Sequence, residues 1–363
     1  MSAQLEKEAA AMAGFAHAFR RQMFNSVPPI PEEIDLVGKT VLVTGSNVGL
    51  GLECARHFLR LRPSLLIMAV RSLSKGEAAA EGLRAEFPAA NIEVWELDMA
   101  SFRSVRAFAG RCAQNLPLEQ GGQKWRLHAA VLNAGLAAFD FTRVDEGRCR
   151  ETMLHVNYLA TALLAILLLP IMKPSPTEPS SSPKTSPGRL TLIGSDSALN
   201  ATLSDPGEGV GIIDHLDRDR EPAAGFEGYA QYGDVKLLLT MFVARLASDF
   251  VSDNDVVVNV SNPGPTWGTE LISKDGPLAA RLFTGALFRV LGRSPADAAR
   301  TYVHSNLVLG KESHGSYTEW LVRPWPPMMY TEEGRRLGER LWDETMAELR
   351  FAEIEELLKG LKE

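Results

Sequence analysis

The sequence predicts an α/β fold: a doubly wound, mostly parallel sheet of about seven strands with helices on both faces. Two observations carry this. From residue 39 onward, short apolar runs rich in β-branched residues alternate with stretches of helical periodicity. Strands that alternate with helices pair in parallel through right-handed crossovers. The composition, 45% hydrophobic and 23% charged, lies near the globular average and excludes a disordered, collagen-like or coiled-coil chain.

Residues 1–25 read as an amphipathic helix, with Leu5, Ala9, Met12, Phe15, Phe19 and Met23 recurring at three- and four-residue steps. Such a stripe packs on the body of the protein, and Glu6 and Glu8 dilute the basic face that a membrane-surface helix needs. Pro28, Pro29 and Pro31 end it in a linker. The first strand covers 40–44. Strand and helix then alternate at 65–70 and 75–87, at 92–97 and 101–115, and at 127–133 and 151–169. Ser74 and Glu77 form a capping box for the helix at 75. Strands at 190–193 and 256–260 follow, and a seventh lies near 317–322. The Pro/Ser-rich stretch 173–188 reads as a mobile surface loop and 120–124 as a smaller one. Over 331–359 a helical tail carries Glu332 and Glu333 in its first turn, where negative charge suits the helix dipole. The expected organisation is an N-terminal helical extension and linker (1–35), one α/β domain (36–325) and a C-terminal helical extension (326–363).

Charge and cysteine usage narrow the function classes. The 38 basic and 45 acidic residues give a net charge of −7 with no long Lys/Arg run, so no nucleic-acid partner is expected. Three distant cysteines and seven scattered histidines supply neither a disulfide framework nor a metal-spaced pair; no metal is expected. Glu6, Lys7 and Glu8 interrupt any early apolar run, so no signal peptide is read and the expected location is the reducing cytoplasm. The sequons at Asn200 and Asn259 are then coincidence. The most apolar stretch, 158–172, is shorter than the ~20 residues of a membrane span and contains Pro170. It reads as a helix that is buried or faces an oligomer partner.

Thr44-Gly45-Ser46-Asn47-Val48-Gly49-Leu50-Gly51 joins the first strand to the first helix of the alternating region. Glycines there allow a tight turn and close approach of a pyrophosphate to the backbone, with helix N–H groups facing the phosphates. An ordinary strand-to-helix turn is the competing reading. The second strand ends at Arg71 where an NAD site would place an acid. A guanidinium there matches a 2′-phosphate and favours NADP(H), unless Arg71 is only a solvated surface residue.

Tyr232 and Lys236 lie four apart on one helical face. An isolated phenol titrates near 10 and is a poor acid–base group, but a neighbouring ammonium lowers that value. Tyr229 has no lysine four residues later. Alone the pair is a weak signal.

The order of motifs is more specific. The glycine turn, Asp98, Asn133-Ala134-Gly135, Asn157, Ser195, then Tyr232 and Lys236 resemble the short-chain dehydrogenase/reductase family over residues 36–325, in the TGxxxGxG branch. The style is similar to fungal reductases of secondary metabolism. The resemblance implies a Rossmann-type fold, an NADP(H) cofactor and a homodimer, to which the apolar helix around 163–169 would contribute. It implies that Gly45, Ser46, Asn47, Gly49, Leu50 and Gly51 cradle the cofactor, with Arg71 at its ribose phosphate and Asp98 at the adenine. Asn133, Ala134 and Gly135 approach the ribose, and Asn157 holds a water that links Lys236 to solvent. Ser195 binds the substrate oxygen, with Ser197 as the alternative; no G-x-S-x-G elbow supports a hydrolase serine. Pro263 and Gly264 turn over the nicotinamide. The family spacing there is one residue shorter, so either Thr266 or Thr269 binds its carboxamide, with Thr266 preferred. Residues 270–292 form a substrate lid or an ordinary core helix.

The implied activity interconverts a ketone or aldehyde and an alcohol, with Tyr232 as general acid–base and Lys236 lowering its pKa. The apolar lid residues point to a bulky apolar substrate. A lyase, isomerase or pericyclic catalyst on the same fold, and a cofactor-binding scaffold, are the rival readings.

Overall fold

The computed structural model describes residues 3–12, 26–116, 126–138, 140–174, 186–207, 209–218, 228–267 and 292–362. The expected lid, Thr269, residues 13–25, the loop at 120–124 and most of the Pro/Ser loop lie outside them.

Helix α1 (Ala3–Met12) precedes strand β1 (Thr40–Thr44). Then follow α2 (Gly49–Arg60), β2 (Leu65–Val70), α3 (Leu73–Glu86), β3 (Ile92–Glu96), α4 (Phe102–Asn115) and β4 (Ala129–Leu132). A π-helical turn (Leu154–Ala160) runs directly into α5 (Thr161–Met172). Strand β5 (Gly188–Ile193), a 3-10 helix (Asp196–Asn200), α6 (Ile212–Leu216), α7 (Gly228–Asp249) and β6 (Val256–Ser261) follow. The chain closes with α8 (Pro295–Val303), β7 (Tyr317–Thr318), β8 (Val322–Arg323), α9 (Glu332–Glu348) and α10 (Ile354–Gly360).

The sheet order is β3-β2-β1-β4-β5-β6-β7-β8, parallel except for the antiparallel β7–β8 pair. All residues of β1, β2 and β6 are buried, as required of strands covered on both faces. Alternate residues feed two cores. Val41, Val43, Leu66 and Met68 face α2, α3 and α8, whereas Leu42, Leu65, Ile67 and Ala69 face the side of α4, α5, α7, α9 and α10. The order reverses between β1 and β4, and the crevice at this switch point lies outside the carboxyl ends of the strands. Both the glycine turn after β1 and Asn133 after β4 are placed there.

Two sequence expectations change. The seventh strand is two strands of two residues each, making eight, because the chain reverses at Glu319–Leu321. The helix expected from 75 starts at Leu73 behind Ser72, so there is no capping box: Ser74 Oγ meets Ser72 Oγ and Glu77 pairs with Arg84. The helix expected over 151–169 starts behind Glu151, whose buried carboxylate accepts from the N–H groups of Met153 and Leu154, and it runs on to Met172. The resulting helix, Leu154–Met172, is long and apolar enough to cross a membrane, but 83% of its most apolar window is buried within the fold. Most of its leucines are covered by this chain itself. Leu163, Leu164, Leu168 and Leu169 are fully buried in the same core as Leu341, Met346 and Leu358 of the C-terminal helices, and Tyr158 Oη meets Thr345 Oγ1 of α9 at 2.6 Å.

Candidate active site

The glycine turn is built by three separate constraints. Gly45 and Gly49 have φ of +65° and +58°, the left-handed region that favours glycine. Gly51 has an ordinary φ, but a Cβ there would stand 2.2 Å from Gly45 O and 2.6 Å from Asn133 Nδ2. Asn133 Nδ2 donates to Thr44 O (3.0 Å) and Gly45 O (3.3 Å), and Ala134 N donates to Thr44 Oγ1 (2.9 Å). Asn133 therefore ties the end of β4 to the turn. Val48 caps α2 without a side-chain hydrogen bond, and the buried Ser46 Oγ has no partner among the described residues. A cradle that only glycine leaves open, beside an orphaned hydroxyl at a helix start, fits a dinucleotide's phosphates. Arg71 is exposed at the end of β2, and Asn47 and Leu50 lie in the turn and the first turn of α2.

Asp98 follows β3. Its Oδ1 accepts from Ala100 N at 3.0 Å, whereas the cap of α4 is Ser101, so Asp98 is a turn residue and keeps a second carboxylate oxygen for a ligand. Beside Ala134, Gly135 is pressed against Asn157: a Cβ at 135 would stand 2.9 Å from Asn157 Oδ1. Asn157 lies within the π-helical turn, a distortion frequent at functional sites. Its carboxamide accepts from Leu136 N (2.9 Å) and donates to Leu136 O (2.7 Å), leaving one N–H and one lone pair for water.

Tyr232 and Lys236 are both buried on α7, with Lys236 Nζ 5.6 Å from the Tyr232 ring centroid, so they are not a surface pair. Lys236 Nζ donates to Ile193 O at 2.7 Å, at the end of the strand that leads to Ser195. The Ser195 side chain acts on the Tyr232 phenol, and Gly233 beside Tyr232 packs against Ser197. Burial decides both pKa values. It lowers Lys236 to about 8. It raises Tyr232 well above its ordinary value, against a smaller lowering by the Ser195 hydrogen bond. For Tyr232, loss of solvation is the larger of these two influences.

Ser195 Oγ accepts from Ser197 N (3.3 Å) and from Ser197 Oγ (2.9 Å). After β6, Gly264 has φ +71° and its N–H donates to Asn262 Oδ1 (3.1 Å). Thr266 is buried and donates its hydroxyl to Gly264 O (3.0 Å). Three supports of this region carry no sequence signature. Asn262 Nδ2 donates to Asp196 Oδ1 at 2.7 Å, joining the Pro263-Gly264 turn to the residue after Ser195. The fully buried Glu319 accepts from Asn262 and Arg323. Arg293 Nη1 donates to Pro263 O at 3.0 Å.

The turn at the switch point and the Ser–Tyr–Lys cluster across the crevice define an α/β oxidoreductase of the Rossmann type. Comparison with known proteins agrees. The sequence profile of the short chain dehydrogenase family matches residues 39–203. The short chain dehydrogenase virL of Hypocrea virens is 42% identical over 364 residues, spanning 100% of this chain and 99% of the relative. The short chain dehydrogenase/reductase mfmJ of Annulohypoxylon moriforme is 39% identical and spans 96% and 95%. Among solved structures, the short chain dehydrogenase of Shigella flexneri superposes with a TM-score of 0.54 at 20% identity, covering 81% of this chain and 95% of that one. A short chain dehydrogenase of Escherichia coli complexed with NADPH gives 0.53 at 20% identity, covering 79% and 98%; these two likenesses bear on the fold alone. The chain belongs to the short-chain dehydrogenase/reductase family.

Proposed function

We propose that the protein is an NADP(H)-dependent reductase that interconverts a ketone or aldehyde and an alcohol on a bulky apolar metabolite of fungal secondary metabolism, with residues 36–325 as the catalytic body. The observation that supports this best is the buried Tyr232, in reach of Ser195 and above a Lys236 anchored to Ile193 O. Arg71 and the absence of an acid at the end of β2 support NADP(H) over NAD(H).

A bound nicotinamide supplies hydride to the carbonyl carbon or takes it from the alcohol. Ser195 donates a hydrogen bond to the reacting oxygen and stabilises its developing charge. Tyr232 gives that oxygen its proton. A phenol held protonated by burial suits the reducing direction, where the acid is needed. Asn157, through its spare N–H and lone pair, orients water that returns the proton. Lys236, lowered to about 8, is mostly cationic at neutral pH and loses its charge above that value. Because that charge would help hold the cofactor ribose, reduction should decline through an alkaline limb near pH 8.

A screen of ketones, aldehydes and quinones that follows NADPH absorbance, with NADH beside it, tests the reading. Tyr232→Phe should lose roughly 100-fold or more in turnover while retaining NADPH binding. Product formed without net cofactor change selects a lyase or isomerase instead, and normal turnover by Tyr232→Phe refutes the assignment.

A further inference from the structure

Ser197, the rival of Ser195 in the sequence, has a position of its own. Both its hydroxyl and its backbone N–H are given to Ser195 Oγ, at 2.9 and 3.3 Å. A serine oxygen has two lone pairs and one hydrogen. With both lone pairs taken by Ser197, the Ser195 hydrogen has to be donated outward; Tyr232 adjoins Gly233, which packs against Ser197 O, and is the phenol on which the Ser195 side chain acts. We propose that Ser197 is a positioning residue that makes Ser195 an obligate hydrogen-bond donor toward Tyr232 and the reacting oxygen.

The surroundings hold this arrangement. Ser197 is 5% exposed and lies on the 3-10 helix capped by Ser195. That helix lies close against α7 at Gly233, where a Cβ would stand 3.0 Å from Ser197 O. Between the two serines, Asp196 is pinned to Asn262 at 2.7 Å. Among the described residues, the titratable groups facing Tyr232 are Lys236 and Tyr229 on α7 and Tyr302 on α8, and Asp196 faces Tyr229.

A committed donor stabilises the phenolate of Tyr232 and cannot accept from its phenol. Without the Ser197 hydroxyl, Ser195 regains a lone pair, accepts from the phenol and favours the protonated form. Tyr232 should then ionise at higher pH. The inference rests on the roles proposed above for Ser195 and Tyr232, so the test separates the two.

Tyrosines are replaced by difluorotyrosine, whose fluorines bring phenol ionisation into an accessible pH range. Fluorine NMR then follows the resonance that Tyr232→Phe removes. Ser197→Ala should raise its midpoint by about one pH unit. Ser197→Cys, a weaker donor of similar size, should move it the same way if the alanine variant folds poorly, and Ser197→Thr should restore it. Ser195→Ala is measured beside them. If Ser195→Ala shifts the midpoint and the alanine and cysteine variants at 197 do not, this inference is overturned while the site reading survives. If Ser195→Ala leaves the midpoint in place, the contact between Ser195 and Tyr232 fails and both fall. A threonine variant shifted as far as the alanine one also overturns the role of the hydroxyl.

Discussion

Gly51 and Gly49 stand two residues apart and need glycine for different reasons, which makes them a quantitative pair. In Gly51→Ala the new Cβ starts 2.2 Å from Gly45 O, against the 3.4 Å or more of ordinary contact, so the turn or α2 must give by about 1.2 Å. That movement pulls Gly45 O away from Asn133 Nδ2. Overpacking costs about 1–3 kcal/mol and the weakened hydrogen bond about 1 kcal/mol more. In Gly49→Ala the Cβ meets nothing within 4 Å, but φ of +58° leaves a left-handed strain of about 1–2 kcal/mol. With about 2.1 cal/mol/K of unfolding entropy per residue over 363 residues, these become Tm losses of about 3–5 °C and about 1–3 °C. Thermal unfolding without added nucleotide measures both. NADPH titration by fluorescence should show affinity lower by about tenfold or more in Gly51→Ala. Parental Tm and affinity in Gly51→Ala, or a larger Tm loss in Gly49→Ala, would refute this account of the turn.

Other residues give independent checks. Arg71→Ser should weaken NADPH binding at least about tenfold and leave NADH binding unchanged, read by parallel titrations. His155 is buried with neither ring nitrogen partnered among the described residues, and burial lowers its pKa to about 4 against the opposing pull of Glu146, Glu348 and Asp98. Because the unfolded chain binds this proton first, His155 should cost stability as pH falls from 6.5 toward 4, by about 3 kcal/mol in all. Denaturant unfolding across that range should show the loss, and His155→Phe, which keeps a ring beside Phe102, should remove that share of it. Arg150 is buried and pairs with Glu348, Asp214 and Asp217 at 2.6–3.1 Å. Arg150→Met leaves the buried Glu348 carboxylate with only the exposed Arg148, 3.2 Å away, and should cost about 2–3 kcal/mol in the same measurement.

The parts of the site legible in the sequence are those whose chemistry is local. The turn after β1 needs left-handed glycines and a helix start within eight residues, and the four-residue step from Tyr232 to Lys236 puts both on one face of α7. Supports between distant segments left no local pattern. Asp196 and Asn262 are 66 residues apart, and neither type nor spacing marks them as partners. The start of α3 lies two residues before the expected one, behind Ser72 and not Ser74.

By itself the sequence determined the alternation of strands and helices, the glycine turn and the order of the reactive side chains, because periodicity and turn chemistry act between near neighbours. Tertiary structure alone decided that the apolar helix ending at Met172 is covered by this chain's own C-terminal helices, through a Tyr158–Thr345 contact spanning 187 residues. It also decided how deeply the reactive pair is buried. Tyr232 and Lys236 are shifted chiefly by desolvation, which depends on everything packed around them and not on the spacing between them.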